Sequence, residues 1–119
     1  HVSSGEQVKL LIARALVTRP EIIILDEACV HLDIAARELL LGRIAEFAGM
    51  RRSPTIIFIT QRIEDLIPAF EKGMIMRQGR IVRAGIAHEI LTEETLSETF
   101  GIPLKLFKTP SGRFCAVPA

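Results

Sequence analysis

The sequence lacks several features that would each define a class of protein. It has no basic excess, since 15 Lys and Arg face 14 Asp and Glu in 119 residues, and this argues against a dedicated binder of nucleic acid or anionic membranes. Although mean hydropathy is +0.33, its apolar runs are much shorter than a membrane span. Cys29 and Cys115 form neither a disulfide framework nor a metal-binding pattern, and no signal peptide is recognisable. The expectation is a folded, cytosolic protein.

The first half of the chain alternates helical and strand patterns. Apolar residues at helical spacing predict a helix over Glu6–Val17, and a β-branched run predicts a strand over Ile22–Leu25. A helix over Ile34–Ala48 follows, with Asp33 as its N-cap, and Thr55–Thr60 is a second strand. Because neither strand alternates in polarity, both are expected to be buried on both faces, as in a parallel sheet. The predicted fold class is therefore α/β.

The second half predicts smaller elements. We expect a third helix over Arg62–Glu71, and then a hairpin that turns at Gln78–Gly79. Two short helices over Ala87–Leu91 and Thr92–Phe100 precede an antiparallel hairpin that turns at Pro110–Gly112. The helix over Arg62–Glu71 continues the alternating pattern of the first half, and the pattern changes after Gly73.

An acidic pair, Asp26 and Glu27, follows the first strand. In open α/β sheets the carboxyl ends of the strands are where ligands bind. Asp26 can hold Mg²⁺, which prefers hard oxygen ligands, and Glu27 can orient or deprotonate a water that attacks a γ-phosphate. The alternative is that the pair simply ends a strand and begins a loop.

Other short motifs occur in order around this acidic pair. They are Ser3-Ser4-Gly5-Glu6-Gln7, Ala13-Arg14-Ala15-Leu16, Arg19-Pro20 and, beyond the pair, Leu32-Asp33. In this order and spacing the chain resembles the nucleotide-binding subunit of ABC (ATP-binding cassette) proteins, over roughly Val2 to Gly85. The resemblance implies an incomplete P-loop NTPase (RecA-like) parallel-sheet core at residues 1–85. A C-terminal extension of short helices and a β-hairpin would occupy residues 86–119.

The resemblance also implies cofactors and site residues. ATP and Mg²⁺ would be the cofactors, with Asp26 at the Walker B aspartate that holds the metal and Glu27 at the catalytic glutamate. Asp33 would be the aspartate of the D-loop, which runs along the dimer interface.

The stretch Val2–Glu6 corresponds to the family's Leu-Ser-Gly-Gly-Gln signature, so that Ser3, Ser4 and Gly5 would contact nucleotide. A serine-rich turn at a helix N-terminus offers N–H groups and hydroxyls to an anion, although Ser3 and Glu6 also form a capping-box pattern. In the family the signature loop faces the γ-phosphate bound by the partner. The resemblance therefore implies a head-to-tail pair, either a homodimer or two ATPase subunits.

The chain departs from the family pattern in two ways. Gln61 stands where the family has its switch histidine, and its amide can hydrogen-bond but cannot shuttle a proton. As the second catalytic residue, Gln61 is expected to slow hydrolysis or gate it differently. The phosphate-binding pattern Gly-x-x-x-x-Gly-Lys-Ser/Thr is absent from the sequence. We therefore expect the C-terminal part of a longer ATPase, with no competent ATP hydrolysis by these 119 residues alone.

The resemblance leaves three functions open. The leading one is an ATPase that energises transport through a separate membrane permease, located in the cytoplasm at the inner face of the membrane and binding no nucleic acid. The second is a soluble ABC ATPase of DNA repair, chromosome architecture or translation. The third is a regulatory cassette that binds nucleotide without hydrolysis, for which Gln61 is the indication.

Overall fold

The computed structural model describes residues 4–119 and divides between Asp65 and Leu66 into two compact units. The first unit contains α1 (Ser4–Leu16), β1 (Ile22–Asp26), α2 (Ile34–Ala48), β2 (Thr55–Ile59) and a 3₁₀ turn (Ile63–Asp65). The second unit contains β3 (Lys72–Arg77), β4 (Arg80–Ile86), α3 (Ala87–Ile90), α4 (Glu93–Phe100), β5 (Leu104–Lys108) and β6 (Phe114–Pro118). The predicted α/β class is confirmed.

In the first unit, β1 and β2 pair in parallel. Ile22 lies opposite Thr55 at one end of the pair, and Asp26 lies opposite Ile59 at the other. The predicted parallel pairing is therefore confirmed, and the two carboxyl ends lie side by side.

Within residues 4–119, the helices cover one face of this sheet and leave the other exposed. Side chains from both helices and both strands surround a small apolar space on that face: Leu11, Ile12, Ala15, Leu16, Ile23, Leu25, Leu40, Ile44, Phe47 and Ile56. On the other face Ile22 and Ile24 are 56% and 62% exposed, and Ile57 and Ile59 are 43% and 45% exposed. The prediction that both strands are buried on both faces is wrong, because the described elements that line the sheet, α1 and α2, do so on one face.

Helix α2 begins and ends where the sequence predicts. The Asp33 side chain accepts a hydrogen bond from the amide of Ala36 at 2.8 Å, which satisfies one free N–H of the first turn. The amide of Gly49 donates to carbonyls of the last turn at the other end. Leu40, Leu41 and neighbouring apolar residues of α2 are buried, so the helix contributes much of the core of this unit.

The predicted helix over Arg62–Glu71 is wrong. The structure has only a 3₁₀ turn at Ile63–Asp65, followed by irregular chain up to β3. Pro68 accounts for the difference, because proline lacks an N–H donor and disfavours helical geometry at the residue before it.

The second unit consists of hairpins and short helices, as predicted. β3 and β4 form an antiparallel hairpin whose turn residues, Gln78 and Gly79, have φ angles of 51° and 75°. Two positive φ values match the right-handed twist of a two-residue hairpin. Thr92 caps α4 through the amide of Thr95, and Gly101 ends that helix with a φ of 75°. β5 and β6 form the predicted second hairpin. The proposed division at residue 85 falls near the end of β4.

Candidate functional site

The end of β1 presents two exposed carboxylates. Asp26 is the last residue of the strand, and Glu27 follows it with a φ of 51°. That angle lies in the left-handed region, which a residue with a side chain seldom adopts unless neighbouring contacts hold it there. The Glu27 amide donates to the carbonyl of Ile59 at 2.8 Å. The turn after β1 is thus fixed against the end of β2.

The loop between β1 and α2 contains Cys29, His31 and Asp33. Cys29 is 1% exposed, and burial, followed by the nearby charge of Asp65, raises the pKa of its thiol from 9.0 to about 11. Cys29 is therefore a packing residue, because a buried thiol with a raised pKa is a poor nucleophile. The side chain of His31 is exposed. Asp33 is exposed and caps α2. Its location at a dimer interface stays a prediction.

The end of β2 is held by a side-chain hydroxyl. Thr60 donates a hydrogen bond to Asp65 Oδ2 at 2.9 Å, and its oxygen accepts one from the amide of Arg62 at 3.0 Å. Gln61 lies between these two residues, and its side chain is exposed. Gln61 therefore lies exposed on a turn whose flanking residues, Thr60 and Arg62, are joined by a hydrogen bond.

Asp65 is the residue that sequence reasoning missed. It is 2% exposed, and its second oxygen, Oδ1, lies 3.9 Å from Arg37 Nε without a hydrogen bond. A charged group this deeply buried is expensive unless it is paired. The sequence offers only a weak signal, an acid between the apolar residues Ile63 and Ile67, and it does not distinguish Asp65 from its neighbour Glu64.

The signature residues are only partly described. Ser3 lies outside the described residues, so neither its cap nor its contact with nucleotide can be compared with the prediction. Ser4 is the first residue of α1. Gly5 follows it in the first turn, where an added Cβ would lie 4.0 Å from Leu39 Cδ2 of α2. That distance is an ordinary van der Waals contact, so packing against α2 does not require glycine at this position.

The structure thus brings two groups of predicted residues to one edge of the sheet. Asp26 and Glu27 follow β1, and Gln61 follows β2, directly beside it. Within residues 4–119, no cluster of three or more His, Cys, Asp or Glu could hold a metal by itself. Mg²⁺ is commonly bound by one or two carboxylates together with water and substrate phosphates, so Asp26 fits a metal that arrives with a nucleotide. No helix in the described part of the chain could cross a membrane.

Comparisons with known proteins show similarity to ABC transporter proteins. A family model for ABC transporters matches residues 1–30. The uncharacterised ABC transporter ATP-binding protein YlmA of Bacillus subtilis is 40% identical over 103 residues, covering 87% of this chain and 39% of YlmA. A protein of Streptococcus mutans, assigned as an ABC transporter ATP-binding protein, is 36% identical over 117 residues, covering 98% of this chain and 45% of its own length.

A solved structure has the same fold over nearly all of the chain. It is an ABC transporter assigned to the metal-chelate type, in an inward-facing conformation, and it matches with a TM-score of 0.83 at 25% identity. The match covers 99% of this chain and 47% of that one. The chain therefore spans less than half the length of the relatives and of the solved protein that it matches.

Proposed function

We propose that this chain, which is similar over most of its length to ABC transporter ATP-binding proteins, supplies part of an ATPase that binds and hydrolyses ATP in the full-length protein. The observation that carries the proposal is the exposed acidic pair, Asp26 and Glu27, at the carboxyl end of a strand paired in parallel. That edge is where α/β sheets bind nucleotides.

Each residue of the edge has a proposed task. Asp26 holds Mg²⁺, which neutralises charge on the phosphates when it is bound. The Glu27 carboxylate accepts a proton from the attacking water, and the Gln61 amide orients that water by hydrogen bonding. Gln61 cannot take up a proton at neutral pH, so proton transfer rests on Glu27 alone.

The remaining tasks concern a partner. Ser3, Ser4 and Gly5 would offer N–H groups and hydroxyls to the γ-phosphate bound by a second ATPase subunit, and Asp33 would lie along the interface between the two. We propose a head-to-tail pair, a homodimer or two different subunits, attached to a membrane permease at the cytoplasmic face. The match to part of one chain of a solved ABC transporter supports the permease. Residues 1–85 would belong to the ATPase core and residues 86–119 to an extension.

Replacing Glu27 by glutamine in the full-length protein tests the proposal. Because general-base catalysis contributes about 10²–10⁴-fold, the ATPase rate should fall by a factor in that range while ATP binding is kept. The matched control is Glu21→Gln, which changes an exposed glutamate just before the same strand and should leave the rate unaltered. A parental rate for Glu27→Gln would refute the assignment of Glu27 as base. Binding without turnover in the parental protein would instead favour a binding-only cassette.

A further inference from the structure

The buried carboxylate of Asp65 lies between two parts of the first unit. On one side it accepts the hydroxyl hydrogen of Thr60 at 2.9 Å, next to Gln61. On the other side its free oxygen faces Arg37 Nε at 3.9 Å, in the first turn of α2. Asp65 therefore connects the turn after β2 with the beginning of the helix that Asp33 caps.

The geometry restrains the backbone on both sides of Gln61. Thr60 accepts the amide hydrogen of Arg62 at 3.0 Å, and the Asp65 amide donates to the Arg62 carbonyl at 3.1 Å. The hydroxyl of Thr60 has a single hydrogen, and Asp65 is its nearer acceptor, since the Arg62 carbonyl is 3.4 Å away. Without the carboxylate, the Thr60 hydroxyl could rotate and the turn would have fewer fixed contacts.

The other end of this connection is also held. Arg37 donates its amide hydrogen to the Asp33 carbonyl at 2.9 Å, as part of the first helical turn. Its guanidinium is shared, because Nε also donates to Glu38 Oε2 at 3.2 Å. The Arg37 side chain is only 16% exposed, so its position is restricted by packing as well as by charge.

We propose that Asp65 is a positioning residue, which acts through Thr60 to hold Gln61 in place for the reaction and couples that turn to the start of α2. The inference rests on the proposed ATPase function, in which Gln61 orients the attacking water. Asp65 is buried and touches neither nucleotide nor water in this scheme.

A double-mutant cycle in the full-length protein tests the proposal. Thr60→Val removes the hydroxyl at nearly constant volume, and we expect kcat for ATP hydrolysis to fall about tenfold while KM for ATP stays within about twofold. Thr60→Ser, which keeps the hydroxyl, should recover most of that loss. In a Gln61→Ala background, Thr60→Val should change kcat by less than about twofold, because its effect acts through Gln61.

Three results would overturn the proposal. One is a parental kcat for Thr60→Val, the second is an equal loss in both backgrounds, and the third is a parental kcat for Gln61→Ala. Asp65→Asn, carried through the same cycle, should give the same result, and it replaces Thr60→Val if that variant does not fold, as judged by circular dichroism. The control is Glu46→Gln, which breaks the exposed Arg43–Glu46 ion pair of 3.0 Å on the same helix and should leave kcat unchanged.

The outcome is distinguishable from failure of the proposed function. If Glu27→Gln abolishes turnover while the cycle shows independent effects, Asp65 is only a structural residue and the ATPase assignment stands. If Glu27→Gln keeps the parental rate, the ATPase assignment fails first and the positioning proposal falls with it.

Discussion

The carboxyl ends of β1 and β2 lie side by side but are built in opposite ways. At the end of β1, the side chains of Asp26 and Glu27 are exposed. At the end of β2, the Thr60 hydroxyl is hydrogen-bonded and the Asp65 carboxylate is almost fully buried. The carboxylates proposed to reach a ligand are exposed, whereas the groups that hold the turn after β2 are buried or half-buried. The β1 end supplies two reactive carboxylates, and the β2 end supplies the supported turn that carries Gln61.

The largest effect to expect is on thiol reactivity, because Cys29 is buried although it lies only two residues after the exposed Glu27. Its thiol is buried with a pKa of about 11, and Asp65 contributes to the shift, whereas Cys115 is exposed. A rise of two pKa units lowers the thiolate fraction about 100-fold near neutral pH. In the full-length protein, iodoacetamide should therefore modify Cys115 at least about 100-fold faster than Cys29, as measured by peptide mass spectrometry.

Two further measurements make this labelling experiment decisive. In denaturant both cysteines should react at similar rates, since the burial that protects Cys29 is then lost. Comparable rates in the native protein would show that the residues that bury Cys29 move apart readily. The contrast between an exposed strand end and a closed, supported one would then be wrong.

The second expected effect is on stability. Asp65→Asn removes the charge that faces Arg37 and weakens the acceptor for Thr60. Leaving buried polar groups poorly paired should lower the free energy of unfolding by about 1–2 kcal/mol, roughly 5- to 30-fold in the folding equilibrium. Urea denaturation of the full-length protein, monitored by circular dichroism, measures this change.

A surface pair provides the reference for that measurement. Arg43 and Glu46 are 46% and 61% exposed in their side chains, so their ion pair is screened by water. Glu46→Gln should change the free energy of unfolding by less than about 0.5 kcal/mol. Equal effects for Asp65→Asn and Glu46→Gln would mean that the buried carboxylate does not support the turn.

The same contrast explains what the sequence could predict. The β1 end was readable because its information is local: a β-branched run, then two acids, then Asp33 as a cap. The hairpin turn at Gln78–Gly79 was predicted for the same reason, since local φ preference decides it. Where neighbours in sequence determine the structure, the pattern is sufficient.

The features that the sequence did not predict depend on residues far apart in the chain. The pairing of Asp65 with Arg37 brings together residues 28 positions apart in the chain, and no periodic pattern in the sequence predicts it. The one-sided burial of β1 depends on which helices cover the sheet. The apolar run Ile22–Leu25 is compatible with burial on one face and with burial on both. The absence of a helix over Arg62–Glu71 has a local cause instead, because Pro68 lies within that range and disfavours helical geometry at the residue before it.

The smallest expected effect concerns the side chain at position 61 itself. Gln61 is exposed, and the hydrogen bonds of its turn involve Thr60, Arg62 and Asp65 rather than its own amide. Gln61→His should therefore fit the same turn, and its imidazole, which titrates near neutral pH, can orient water and exchange a proton. We expect an ATPase rate in the full-length protein that is equal to the parental rate or a few-fold higher, measured at saturating ATP. Gln61→Ala provides the lower reference. A histidine variant that binds ATP but does not turn over would show that the reaction requires a hydrogen bond that only the glutamine amide makes, so that the β2 end would contribute more than a supported position for an exchangeable side chain.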